Sequence, residues 1–235
     1  MKTFCFESYD RMSKHAADMI AAQIRQKPDS VLGLATGSSP LGVYRELTTM
    51  YENGQLDFSK VTTFNLDEYC GIDYHNEQSY HYYMWEHLFS KINLPESNIH
   101  LPDASATDPD AVCLAYERAI EQAGGIDLQL LGIGHDGHIG FNEPDSHFPV
   151  MTHRTALAEP TIRANRRFFH SEDEVPKEAL TMGIGTIMKA GKILLIAFGA
   201  DKEDIVSRAF SGPVVPEVPA SVLQLHPDVT ILFGK

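Results

Sequence analysis

"IDLQLLGIG", Ile126–Gly134, decides the fold. Only Asp127 and Gln129 are polar among its nine residues, and it ends on glycine. A run of that kind suits a strand covered on both faces, as in a parallel sheet wrapped by helices. "KILLIAFG" (192–199) and "VTILFG" (229–234) have the same character, and "VLGLA" (31–35), "VTTFNL" (61–66) and "NIHLP" (98–102) read as further strands. Helical patterns lie between them. One opens at Pro40, "EQSYHYYMWEHLFSKI" covers 77–92, and another is capped by Asp108 and stopped by Gly124. Strands alternating with helices predict an α/β fold: a doubly wound, mostly parallel sheet with helices on both faces, Rossmann-like and three-layered. No repeat, low-complexity run or long linker divides the chain, so residues 1–235 read as a single domain. The pattern is weakest over 145–178, where "RANRRFF" interrupts it, and residues 150–178 are the expected lid.

Bulk composition narrows the function. The 235 residues are 43% hydrophobic and 22% charged, enough to bury a sizeable core. A formal charge of −13 argues against nucleic acid as the main partner, though not against a small anion held by local cations. The start, "MKTFCFESYD", reads as no signal peptide, and "ILLIAF" (193–198) is too short to span a bilayer. Cys5, Cys70 and Cys113 form no C-x-x-C pair and read as reduced, buried thiols, so a cytoplasmic location with no membrane partner is expected.

In open parallel sheets, ligands bind beyond the carboxyl ends of the strands. Four strands here end in chemistry: "VLGLA" in "TGSSP", "VTTFNL" in "DEY", "IDLQLLGIG" in "HDGH", and "KILLIAFG" in "ADK". The turn Gly37–Ser38–Ser39 before a helix suits a phosphate, although alone it equally suits a plain strand–helix turn. Without G-K-[ST] it is no P-loop. Lys202 and Arg167 could supply positive charge. His135, Asp136 and His138 could bind a metal, but they lack an H-E-x-x-H frame, and a merely structural histidine is also open. A proton relay suits them better, with His138 as acid/base near neutral pH, tuned by Asp136 and Glu143. Asp67 is a candidate second base. Glu68 could equally be that base, and either could be a helix cap. "YHYYMWEHLF", with His81 and His87, reads as a core-facing stripe with no assigned chemistry.

"LATGSSP", "FNLDEY", "GIGHDGHIGFNEP", "ALTMGIGTIMKA" and "LQLHP" together resemble the glucosamine-6-phosphate deaminase family, in order and over most of the chain. "GHIGFNEP" is the most specific of these. The related 6-phosphogluconolactonases share the fold and the D-G-H core. The resemblance implies conversion of glucosamine 6-phosphate and water to fructose 6-phosphate and ammonia, with no metal or cofactor. It implies that Asp67 moves the C2 proton through an enediol-type intermediate, that His138 with Asp136 and Glu143 opens the ring, and that Gly37, Ser38, Ser39, Arg167 and Lys202 hold the phosphate. The chain stops at "VTILFGK", short of the segment with which longer, hexameric, activated members continue. A monomer is therefore expected in preference to the hexamer. The alternatives are a 6-phosphogluconolactonase and a non-catalytic sugar-phosphate-binding regulator.

Overall fold

The structure, a computed structural model, describes residues 1–158, 162 and 175–235. Seven strands form one parallel sheet: β1 (Lys2–Phe6), β2 (Val31–Leu34), β3 (Thr62–Asn65), β5 (Ile99–His100), β6 (Leu128–Leu131), β9 (Lys192–Phe198) and β10 (Val229–Gly234). Their order is β1-β10-β9-β6-β2-β3-β5. From β2 the chain first winds outward through β3 and β5, then returns to the other side of β2 as β6 and continues through β9 and β10. Reversal between β2 and β6 makes their carboxyl ends the topological switch point, where open α/β sheets hold ligands. The four strands that end in chemistry lie side by side there, as β9-β6-β2-β3.

The consecutive apolar residues split between two cores. Ile193, Leu195 and Ala197 of β9, with Val229, Ile231 and Phe233 of β10, face one side. There they meet α4 (Pro109–Gln122), α5 (Ile184–Ile187) and α6 (Glu203–Ser211). Leu194, Ile196 and Leu232 face the other side, with Leu128 and Leu130 of β6, against α1 (Tyr9–Gln26) and α2 (Leu41–Glu52). Emptying such a site, as Leu195→Ala would, costs about 2–5 kcal/mol in a close-packed interior. Helix ends follow local chemistry. Asp108 accepts from the Ala111 N–H at 3.0 Å, and Gly124, at φ 90°, stops α4 as expected.

Three features differ from the expectation. A second, antiparallel sheet joins β4 (Asp67–Tyr69), β8 (Glu178–Thr181) and β7 (His153–Ala156) in the order β4-β8-β7. "DEY" is therefore itself a strand, and residues 153–156 of the segment expected as a lid are paired backbone. The rest of that segment, 159–161 and 163–174, lies outside the described residues. The 77–92 helix is shorter, α3 at Tyr80–His87. Ser79 caps it through the Tyr82 N–H, and Leu88, at φ −141° and ψ −61°, breaks it. Of the cysteines, Cys113 is buried, Cys70 half-buried and Cys5 exposed, which corrects the expectation that all three are buried. Among the described residues no helix is long and apolar enough to cross a membrane.

Candidate active site

β8 is the splint that assembles the crevice. Its register sets Thr181 opposite Asp67, and the Met182 N–H continues the contact to the Leu66 carbonyl at 2.7 Å. The Thr181 hydroxyl accepts from the Phe141 N–H at 3.0 Å, while Asn142 Nδ2 donates to the carbonyls of Met182 and Ile139 at 2.9 and 2.8 Å. These bonds pull the loop after β6 back onto the end of β3. The loop comes so close that a Cβ added at Gly140 would meet Asp67 Oδ2 at 3.5 Å.

His138 lies at the centre of that loop. Its Nδ1 is 2.8 Å from Asp136 Oδ1 and 3.3 Å from Glu143 Oε2. With both carboxylates at Nδ1, Nε2 is the nitrogen left to exchange protons with a ligand. Gly134 is required for close approach: a Cβ there would lie 2.2 Å from His138 Cε1, in the place of the imidazole. Burial opposes the imidazolium charge, but the hydrogen bonds and charges of Asp136 and Glu143 outweigh it and raise the pKa to about 9. Asp136 answers in kind. Burial works against its charge, yet His138 holds its carboxyl far below the usual range.

Asp67 is the opposite case. Its side chain is buried, and among the described residues no hydrogen bond holds its carboxylate. Burial, with the adjacent Glu68 charge, raises its pKa to about 8 against the opposing pull of His138. Glu68 is the helix cap of the two. It accepts from the N–H groups of Tyr69, Tyr80 and His81 at 2.9, 3.0 and 2.8 Å, closing the N-terminus of α3.

The Gly37–Ser39 turn, with Gly37 at φ 90°, stands over the N-terminus of α2 with Gly37 and Ser38 exposed. Tyr9 steadies it by donating to the Ser38 and Ser39 carbonyls at 3.0 and 2.9 Å and accepting from the Gly42 N–H at 2.8 Å. Tyr83 of α3 donates to the Gly37 carbonyl at 2.7 Å. These bonds fix the carbonyls and leave the helix N-terminus and two serine hydroxyls for an anion. Lys202 stands at the end of β9 and donates to the Ile133 carbonyl at 2.9 Å, at the carboxyl end of β6. Burial lowers its pKa, with Asp201 and Asp136 pulling it back up. Arg167 lies outside the described residues.

The structure thus brings together Asp67, Asp136, His138 and Glu143, and places Gly37, Ser38, Ser39 and Lys202 at the same sheet edge. His135 does not join the cluster. Its Nε2 lies 2.7 Å from Asp201 Oδ2 and its Nδ1 3.2 Å from Lys202 Nζ. The donor atoms of Asp136, His138 and Glu143 all lie within 4.8 Å of one another, so these three and not the "HDGH" histidine pair could hold a metal ion. Thr181 and Tyr83 are positioning groups that the sequence reading missed. Their signals were a β-branched residue in "EALTM" and a hydroxyl in an aromatic stripe, and neither points to its distant partner. A cavity of about 590 Å³ opens beside Glu143, lined by Phe141, Glu143 and residues 149–156. Asp67 and Lys202 are outside its walls, so it adjoins the cluster without enclosing it.

An open parallel sheet with a turn suited to an anion and two titratable clusters at its switch point is the frame of an α/β enzyme. The family of glucosamine-6-phosphate isomerases and 6-phosphogluconolactonase matches residues 7–232, and the chain belongs to it. It is 55% identical over 232 residues to the glucosamine-6-phosphate deaminase of Lachnoclostridium phytofermentans, covering 99% of this chain and 98% of that one. To the glucosamine-6-phosphate deaminase of Thermoanaerobacter pseudethanolicus it is 52% identical over 235 residues, covering 100% and 93%. The solved structure of a monomeric glucosamine-6-phosphate deaminase superposes with a TM-score of 0.97 at 44% identity, covering 100% of this chain and 98% of that one. A 6-phosphogluconolactonase from Thermotoga maritima, at 20% identity and a TM-score of 0.75 with 100% and 99% covered, shares the fold.

Proposed function

We infer that the chain is a glucosamine-6-phosphate deaminase, converting glucosamine 6-phosphate and water to fructose 6-phosphate and ammonia. The observation that carries this reading is the pairing of a buried carboxylate, Asp67, with a carboxylate-bound imidazole, His138, beside a turn suited to phosphate. A lactone hydrolase has no need of a base at C2, whereas an aldose–ketose isomerisation does.

The chemistry divides between the two stations. His138, held as imidazolium by Asp136 and Glu143, gives a proton to the ring oxygen and takes one from the anomeric hydroxyl, so the pyranose opens to the aldehyde. Asp67 then removes the C2 proton. The electron pair forms the C1–C2 double bond, and the aldehyde oxygen takes a proton from the His138 imidazolium to become an enol, leaving an enolamine; the water that later adds at C2 gives that proton back to His138. Asp67 returns the proton to C1, and the C2 imine formed adds water and releases ammonia. The Gly37–Ser39 turn and Lys202 hold the dianionic phosphate, with Arg167 as a further cation, so that remote binding energy places C2 over Asp67. The sugar phosphate is the only partner this scheme needs, and the likeness to a monomeric relative supports a single-chain enzyme.

The decisive assay incubates the purified chain with glucosamine 6-phosphate, with and without exhaustive chelation. Ammonia and fructose 6-phosphate should appear at equal rates in both. Acid release from 6-phosphogluconolactone without ammonia from the amino sugar would replace this reading with the lactonase. Loss on chelation, restored by zinc, would make Asp136, His138 and Glu143 metal ligands.

A further inference from the structure

Asp67 and Glu68 are neighbours on a strand, so their side chains leave β4 on opposite faces. Asp67 enters the crevice. Glu68 turns the other way, is buried, and spends both oxygens on three backbone N–H groups. Two of those N–H groups, from Tyr80 and His81, open α3, where the helix dipole favours a negative charge. Just one residue beyond that pair, Tyr82 N is held by Ser79, and at Tyr83 the helix reaches across to the Gly37 carbonyl. The first turn of α3 is therefore hydrogen-bonded at one end to the strand that carries Asp67 and at the other to the Gly37–Ser39 turn.

We propose that Glu68 is a positioning residue that joins these two halves of the site: it holds α3, α3 holds the phosphate turn through Tyr83, and its fixed negative charge stands behind Asp67. This rests on the reading of Asp67 as the C2 base. Three donors and, among the described residues, no acceptor surround the Glu68 carboxylate, an environment that suits the ionised form. Burial raises its pKa, and the same three N–H groups work against that rise. The other titratable groups that sense Asp67 are His138, from the loop after β6, and the hydroxyls of Tyr44 on α2, Tyr69 on β4, Tyr80 on α3 and Tyr116 on α4. Burial raises all four tyrosines, so they stay neutral while Asp67 titrates. Among the described residues, Glu68 and His138 are the charges that bear on it, with opposite sign.

The consequence is a division of labour that a merely structural cap would not show. A base must be ionised to act, and a like charge close behind it makes ionisation harder. Removing the Glu68 charge should ease ionisation of Asp67 and move the acid limb of kcat/KM to lower pH, by about one pH unit. Loosening α3 should also weaken the hold on the phosphate.

The experiment compares Glu68→Gln, Tyr83→Phe and Asp67→Asn in the full chain. Exchange of the C2 hydrogen with solvent deuterium, kcat and KM are followed across pH, and thermal unfolding checks the fold. Glu68→Gln should keep C2 exchange, shift the acid limb downward, and raise KM several-fold. Tyr83→Phe should raise KM for the phosphorylated sugar and leave the limb in place. A uniform fall in rate with an unmoved limb in Glu68→Gln would overturn the proposal, while Asp67 remained the base. C2 exchange surviving in Asp67→Asn but lost in Glu68→Gln would instead overturn the reading of Asp67. Should Glu68→Gln not fold, Tyr83→Phe decides: an unchanged KM breaks the link between α3 and the phosphate turn and overturns the proposal.

Discussion

Asp67 and His138 make opposite demands on pH. The base works ionised, so turnover should rise through about 8, while the acid works protonated, so turnover should fall through about 9. A bell-shaped kcat/KM with its maximum between those values is expected. A flat profile from pH 5 to 7 would show that Asp67 ionises like an ordinary carboxylate. The same residue taxes the fold. Its folded pKa stands above its unfolded one, so the stability it contributes is complete below about pH 4 and drains away as pH climbs through about 8. Asp67→Asn should abolish C2 exchange and yet raise stability and Tm at pH 8, with little gain at pH 4. Scanning calorimetry at both pH values checks this. At Lys202, loss of one charge-assisted bond to phosphate should raise KM about 10- to 100-fold on Lys202→Ala. Kinetics with glucosamine 6-phosphate measure that rise. These residues were legible because each follows an apolar strand, and a polar group in that place has few reasons to be there but chemistry. Thr181 and Tyr83 were not, since a hydroxyl that positions a loop becomes meaningful only once pairing brings its partner near.

At the scale of elements, β6, β9 and β10 were readable because they are buried on both faces, which leaves a continuous apolar signature. β1, β7 and β8 carry no such mark. β1 is an edge strand with Lys2 to Cys5 all exposed. β7, "HRTA", alternates half-buried with exposed residues and holds no apolar face of its own. What fixes β7 is a buried carboxylate on another element: Glu117 of α4 accepts from the Thr152 N–H and hydroxyl at 2.6 Å and from the Thr186 hydroxyl of α5 at 2.7 Å. No periodicity in 145–156 could announce an anchor that comes from residue 117. The segment 150–178, proposed as a closing lid, thus has a tethered root. On adding a substrate analogue, hydrogen exchange should slow beyond residue 158 and stay unchanged over 153–156, where β7 is already paired. Slowing confined to other parts of the chain would remove the lid from the mechanism.

The molecule as a whole is organised by the reversal between β2 and β6, and strand order is the property least visible in a linear reading. Six strands of the large sheet and their parallel sense follow from their apolar runs, but nothing local tells β6 to return beside β2. Glu68 shows the same limit. Whether base or cap, its role was undecided until the fold placed α3 above it. The order also has a consequence for how the protein is made. β1 pairs with β10 and with no other strand of the sheet, in the register Lys2↔Thr230 to Phe6↔Gly234. The first of these seven strands to leave the ribosome must therefore wait, unpaired, until Val229–Gly234 has emerged. Through most of synthesis "KTFCF" is a bare β-prone ribbon, open to chaperones and to stray pairing with other nascent chains.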